Sequence, residues 1–249
     1  MALRRRLRPN LAGVLATLFF APLLFSLGLW QYQRGEEKAA LFAQYDQLES
    51  APEATFSELG VDIAEAGNRF RPVRIDRLTW VPGVPDIVLS NRLFRGQTGV
   101  WLFRAAKLPN DDAWLLINLG WLPSDRGAST PNVPIPSSPE GPLLGRIAGW
   151  PEVGIRIGNI DDLKPRQGRV VTPYLDAELA ERWLSHPVQA VTIQLTEQAT
   201  PWVRSWRPDL LPPSRHYGYS VQWFALFITL LVIFVVMSWR RGRRMESAT

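Results

Sequence analysis

His216 is one of only two histidines in the chain, and it stands just before a long apolar run. On a helix, His216, Tyr219, Ser220 and Trp223 fall at i, i+3, i+4 and i+7, along one stripe. A neutral imidazole at a membrane boundary can ligate a haem iron, with aromatic rings lining the porphyrin face. The same residue types also form an interfacial belt, because Tyr, Trp and His favour the headgroup layer. Spacing alone favours the belt. Gln222 lies deeper in the run, where an unpaired amide is costly, so it should face a second helix or a ligand.

A matching group closes an earlier apolar run, in the segment WQYQR. Trp30 suits an interface, and Gln31 and Arg34 follow at i, i+3, close to His216 if the two runs pair. Arg34 there could hold a carboxylate such as a haem propionate. Its other options are snorkelling to water or an ion pair with Glu36 or Glu37, and sequence alone favours these. His186, in WLSHPVQAV, precedes a proline between a helix and a strand and is expected to have no chemical task.

Other chemistries lack their residues. There is no cysteine, hence no disulfide, no thiolate metal site, no cysteine nucleophile and no C-x-x-C-H haem attachment. Methionine occurs only at Met1, Met237 and Met245, so soft copper ligands are missing from the centre of the chain. No G-x-S-x-G elbow, G-x-G-x-x-G or P-loop pattern occurs, which argues against hydrolysis and nucleotide chemistry.

Two apolar runs must position these residues. Tyr217 to Trp239 is 23 residues without a formal charge; as a helix it reaches about 34 Å, enough for a hydrocarbon core of about 30 Å. Leu11 to Trp30 is likewise uncharged, with Pro22 inside it, and reads as a retained anchor rather than a signal peptide: its apolar core is long and no A-x-A-like site follows. Residues 1–10 and 240–249 hold eight arginines and one glutamate, whereas residues 31–216 hold 20 Lys plus Arg against 22 Asp plus Glu. The basic balance therefore belongs to the tails. By the positive-inside rule both termini are cytoplasmic and the centre lies outside. A folded domain with no basic face speaks against nucleic acid as a partner.

Between the runs, Leu41, Phe42, Tyr45 and Leu48 keep a helical period beyond the first span. Thr55-Phe56-Ser57-Glu58 fits a capping box, predicting a short helix toward Ala66. From Arg69 onward the text changes to short β-branched and aromatic runs: RFRPVRIDRLTWV, DIVLSNRLF, GVWLFRAAKL, AWLLINLGWL, PLLGRIAGW, GRVVTPYL and VQAVTIQL, with a helical insert near Asp176–Trp183. Seven strands without crossover helices predict one mostly antiparallel system, barrel- or sandwich-like. PSDRGASTPNVPIPSSPEGP, with six prolines in 20 residues, reads as an extended surface loop.

LGLWQYQR, NRLFRGQTGVWLF, INLGWLP and HYGYSVQWFALFITLLVIFVV occur in the order of one family. The chain resembles the surfeit locus protein 1 family, accessory proteins of cytochrome c oxidase assembly, nearly end to end. The H-x-x-Y-x-x-Q-W-F pattern of His216, Tyr219, Gln222, Trp223 and Phe224 is its most specific piece. Bacterial members are described as binding haem a through the histidine that starts the second span, so the resemblance implies His216 as iron ligand. Gln31 and Arg34 match W-Q-x-x-R; Asn91, Arg92, Gly96 and Gly99 match N-R-x-x-x-G-x-x-G, read here as a strand-turn element. The chain departs from the family where V-N-R-G-W-V-P becomes Ile117-Asn118-Leu119-Gly120-Trp121-Leu122-Pro123, where Glu37 replaces a tryptophan, and in GRVVTPYLDAEL. These departures suggest a divergent branch.

The combined expectation is a two-pass protein of the bacterial inner membrane. Two transmembrane helices (residues 11–30 and 216–239) flank a β-rich α+β periplasmic domain (31–215), with basic cytoplasmic tails at 1–10 and 240–249. It would be an assembly factor and not an enzyme, holding haem a between the spans with His216 on the iron. Tyr219, Trp223, Gln31 and Arg34 would complete the site. Partners would be the oxidase's catalytic subunit, other assembly factors and membrane lipid. The alternatives are a scaffold that clamps an oxidase intermediate without touching cofactor, and a membrane-anchored enzyme, which would need a nucleophile and base clustered in the central domain.

Overall fold

The computed structural model describes residues 9–109, 111–124, 141–151, 163–197, 201–206 and 211–246. The chain divides into two compact units: Met1–Ala43 with Leu210–Thr249, and Gln44–Asp209.

The first unit is built on two helices. α1 (Leu11–Glu49) starts where Asn10 Oδ1 accepts a hydrogen bond of 2.8 Å from the Gly13 N–H. It runs through Pro22 and through Trp30, where the first span was expected to end, because the residues that follow are good helix formers. The helical period of Leu41, Phe42, Tyr45 and Leu48 is thus part of the same helix. α4 (Pro213–Glu246) begins on a proline, whose fixed φ suits the first helical turn. Both helices are long and apolar enough to cross a membrane. Their large apolar side chains are exposed, Phe19 at 65% and Val221 at 68%, the reverse of a soluble core helix and the pattern of a lipid-facing surface.

The second unit begins at Gln44, within α1. Its strands are β1 (Ala54–Thr55), β2 (Pro72–Ile75), β3 (Thr79–Trp80), β4 (Asp86–Phe94), β5 (Gln97–Lys107), β6 (Trp114–Pro123), β7 (Leu143–Ala148), β8 (Arg169–Thr172) and β9 (Val188–Leu195). They join in one sheet of order β1-β2-β7-β9-β6-β5-β4-β8, with β3 added on β5. Most pairings are antiparallel, as expected, but β1·β2, β4·β8 and β6·β9 are parallel. Alternation along a short strand reports burial and not direction, so the sequence carried no sign of these.

Adjacent residues of the central strands feed two cores on opposite faces of the sheet. Val100, Leu102, Leu115 and Ile117 enter one; Phe103, Ala105 and Leu116 enter the other with Leu175, Ala180 and Leu184. The last two come from α3 (Ala177–Leu184), the expected helical insert, whose N-cap Asp176 accepts from the Leu179 N–H at 2.9 Å. The predicted capping box is not formed: Thr55 makes no side-chain cap bond. The helix there, α2 (Phe56–Leu59), is one turn long, because Gly60 takes φ +50° and the chain continues in 3-10 turns, Gly60–Ala64 and Ala66–Asn68. Most of the proline-rich loop, residues 125–140, lies outside the described residues.

The family-like segments of this unit explain one another as structure. Arg95 and Gly96, with φ of +50° and +80°, form the two-residue turn between Phe94 and Gln97. Gly99 is the floor on which the Trp121 indole lies, and Trp121 Nε1 donates to the Arg92 carbonyl at 2.8 Å. In β6, Leu119 is an extra residue in the pairing with β5, and Asn118 Oδ1 braces that bulge by accepting from the Gly120 N–H. Leu119, where the family pattern has arginine, is buried in the larger core.

Candidate functional site

The two helices of the first unit run antiparallel, and the glycines of α1 decide how closely they approach. A Cβ on Gly28 would lie 2.8 Å from the Phe224 ring, and one on Gly35 would lie 2.5 Å from the Tyr217 ring. The aromatic rings of α4 therefore pack directly onto the α1 backbone. Ser220, fully enclosed in this seam, donates to the Gly28 carbonyl at 2.8 Å, and Phe25 meets Phe224 and Phe227 edge-on.

His216 lies at the edge of the seam, half-buried, with Nδ1 2.9 Å from Gln31 Oε1. An amide oxygen only accepts, so Nδ1 donates. In the neutral ring this fixes the tautomer and leaves the Nε2 lone pair as the available base. Metal-ligating histidines are held in this manner, with the second nitrogen donating to a carbonyl or carboxylate. Sequence reasoning placed Gln31 near His216, and the structure brings the two into contact.

The remaining predicted residues divide. Arg34 forms an i, i+3 ion pair with Glu37 at 2.6 Å, the simpler of its two readings, and both side chains are about half exposed. At about 100° per residue, Trp223 falls about 20° from His216 and Tyr219 about 60°, both on the side away from Ser220. Trp223 is partly buried, whereas Tyr219 is 47% exposed. The single stripe read from spacing is therefore split, with His216 and Ser220 turned to α1 and Tyr219 turned outward. Gln222 is also exposed, so it does not face α1 as anticipated. Nor is there room between the helices at this level, which Phe224 and Tyr217 fill.

Tyr217 and Glu36 were missed. The Tyr217 hydroxyl donates to Glu36 Oε1 at 2.7 Å, and its ring lies 5.9 Å from that of Tyr32. A signal existed in the seven-residue spacing of Gly28 and Gly35, which puts both glycines on one face of α1 and marks where large rings of a partner helix can dock. His186 stacks on Trp114 at 4.0 Å, with Nδ1 3.1 Å from the Pro187 carbonyl, in the central domain. Among the described residues no three His, Cys, Asp or Glu side chains cluster as a metal site.

The model of one protein family, described as the SURF1 family, matches residues 18–228. That span takes in most of α1, the first half of α4 and the whole domain between them. The chain belongs to the SURF1 family. A search of curated proteins found no match. SURF1-family proteins are assembly factors for cytochrome c oxidase, and this member contributes to that process with two helices fit to span a membrane and a sheet-rich central domain. Within this SURF1-family chain, one residue from each helix motif, His216 and Gln31, meets the other, while the motif residues of the central domain brace its bulge and hairpin.

Proposed function

We propose that this protein holds haem a during cytochrome c oxidase assembly and passes it to the catalytic subunit within the plane of the membrane. The observation that carries the reading is the 2.9 Å contact of His216 Nδ1 with Gln31 Oε1. In a neutral ring it selects the tautomer whose Nε2 is free for iron, and it orients the ring without using that atom. The donor set suits a haem: one preset imidazole, with Trp223 and Tyr219 on the adjoining flank to lie against a porphyrin. Because the seam between α1 and α4 is filled at this level, that flank is the better surface, and it opens to the lipid. Haem a would supply the oxidase with its electron-accepting iron.

Arg34 would serve a propionate only by leaving Glu37. Exposed ion pairs of this kind are worth about 0.2–1 kcal/mol, so the exchange is cheap. The basic tails favour the cytoplasm for both termini and the periplasm of a bacterial inner membrane for the central domain.

The test is an optical spectrum of the detergent-purified protein, produced in cells that make haem a, beside a His216→Ala variant. A haem band in the parent that is lost in the variant supports the reading. Equal bands in both would remove His216 from the iron. No band in either, alongside stable association with the haem-free catalytic subunit, would leave a scaffold that never touches the cofactor.

A further inference from the structure

At the far end of the same helix pair the packing fails to close. Gly13 on α1 occupies the position that Gly28 and Gly35 occupy nearer His216, yet no ring of α4 comes down upon it. Its Cβ would meet only its own Asn10 closely, and Phe234 stays 3.9 Å away. The result is a cleft of about 630 Å³ between the helices. Gly13 and Ala16 form one wall, and Leu230, Ile233 and Met237 form the other. The hydroxyl of Thr17 is spent on the Gly13 carbonyl of its own helix at 2.8 Å, so the apolar wall is not interrupted there.

Among the described residues the charged rim of the cleft lies on α4. Arg240 and Arg241 line it, both exposed, and neither is in an ion pair among the described residues. Arg243 lies nearby over the Trp239 ring at 5.9 Å. From His216 to Arg240 is about 36 Å along the helix, against a hydrocarbon core of about 30 Å, so the arginines fall at the opposite membrane boundary from the histidine. An apolar slot opening sideways to lipid, with two unpaired guanidiniums at headgroup depth, matches an acyl chain below a phosphate. Neither a peptide nor a free anion would use both parts.

We propose that this cleft holds one anionic phospholipid of the membrane, with its phosphate on Arg240 and Arg241 and an acyl chain against Gly13 and Ala16. The bound lipid supplies the packing that large side chains supply at the other end, and it fixes the arginine ends of α1 and α4 together. This site is independent of the haem reading.

The test uses the full chain reconstituted in bilayers of equal phosphatidylglycerol and phosphatidylcholine, released into detergent and analysed by native mass spectrometry. One phosphatidylglycerol should be retained at least about tenfold over phosphatidylcholine, the ratio that about 1.4 kcal/mol of preference gives. The double variant R240Q/R241Q should lose that preference. Ala16→Leu, which fills the slot and keeps every charge, should lose the retained lipid. Equal retention of the two lipids by the unaltered protein would overturn the proposal and needs no variant. So would a preference that survives Ala16→Leu, since the tail charges alone would then account for it.

Discussion

His216 and Gln31 stand 185 residues apart in the chain and 2.9 Å apart in the structure, each on a different membrane-type helix. The contact joins two separate motifs: the amide oxygen accepts a hydrogen bond from Nδ1–H, and in a neutral ring Nε2 is left with the free lone pair. On the proposed haem-holding reading, removing the amide should be felt at the iron. Gln31→Leu is expected to weaken haem binding by about 10- to 100-fold, whereas Gln31→Glu, which still accepts from Nδ1, should retain it. Haem titration followed by absorbance reads the affinity, and nitrogen-15 shifts of His216 read the tautomer. A Gln31→Leu protein with unchanged affinity and unchanged tautomer would show that the contact does nothing for the site.

Gly99 and Gly96 sit three residues apart in β5 and its turn but should respond differently to alanine. A Cβ on Gly99 would lie 2.2 Å from the Leu122 carbonyl and 2.3 Å from the Trp121 indole, and the β5·β6 pairing prevents the backbone from retreating. Gly96→Ala meets nothing within 4 Å and carries only the strain of φ +80°, a cost of about 1 kcal/mol. Gly99→Ala should cost more, about 2–3 kcal/mol, as overpacking of a closed site does. Chemical denaturation of the two variants side by side checks the order; the reverse order would mean that the sheet yields at Gly99.

Within the central unit, Arg146 closes the last turn of α1. Its guanidinium donates to the carbonyls of Leu48 at 3.4 Å, Glu49 at 3.1 Å and Phe70 at 3.2 Å, and it lies over the Tyr45 ring at 5.4 Å. A cation at a helix C-terminus that also bonds its orphan carbonyls is well placed. Arg146→Ala is expected to cost about 2 kcal/mol and to speed amide exchange in residues 44–49 more than elsewhere. Uniform acceleration across the unit would instead make Arg146 an ordinary core contact.

Asp86 gives a pH dependence of defined sign. Burial pushes its carboxyl up from the ordinary value of 3.8, against the pull of Arg104, 3.4 Å away, and of Arg169. The folded state thus keeps this proton to higher pH than the unfolded chain. Its contribution is fully present below the unfolded value and is lost as pH rises through the folded one. Asp86→Asn should flatten stability over that window and leave the protein at pH 7 within about 1 kcal/mol of the parent, or more stable. A steep loss at pH 7 would show that Arg104 depends on the charge. Acid and neutral denaturation curves of the two proteins decide it.

The strands were legible because their signal is local. DIVLSNRLF and VQAVTIQL coincide with β4 and β9, since a buried β-branched run between turn residues has few other uses. The turn at Gly96 and the helical insert near Asp176–Trp183 were legible for the same reason. The short helix at Phe56 was read too long, because a capping pattern reports a possible start and Gly60 ends the helix after one turn. The mostly antiparallel character was legible, but which pairs run parallel was not. The site was half legible: spacing assembled His216, Tyr219 and Trp223 on one helix and Gln31 and Arg34 on another, but could not say which of them meet.

By itself, then, the sequence determined the two apolar helices, the basic tails and the β-rich centre. These follow from composition and short-range period, which act residue by residue. Only the tertiary structure decided that Gln31 Oε1 meets His216 Nδ1 while Arg34 turns to Glu37, and that Tyr219 and Gln222 face outward. It alone decided that rings close the helix seam at Gly28 and Gly35 but leave it open at Gly13. Those outcomes depend on the rotation of one helix against another. That rotation is set by which glycine receives which ring, a matter of shape across the interface that no single stretch of chain contains.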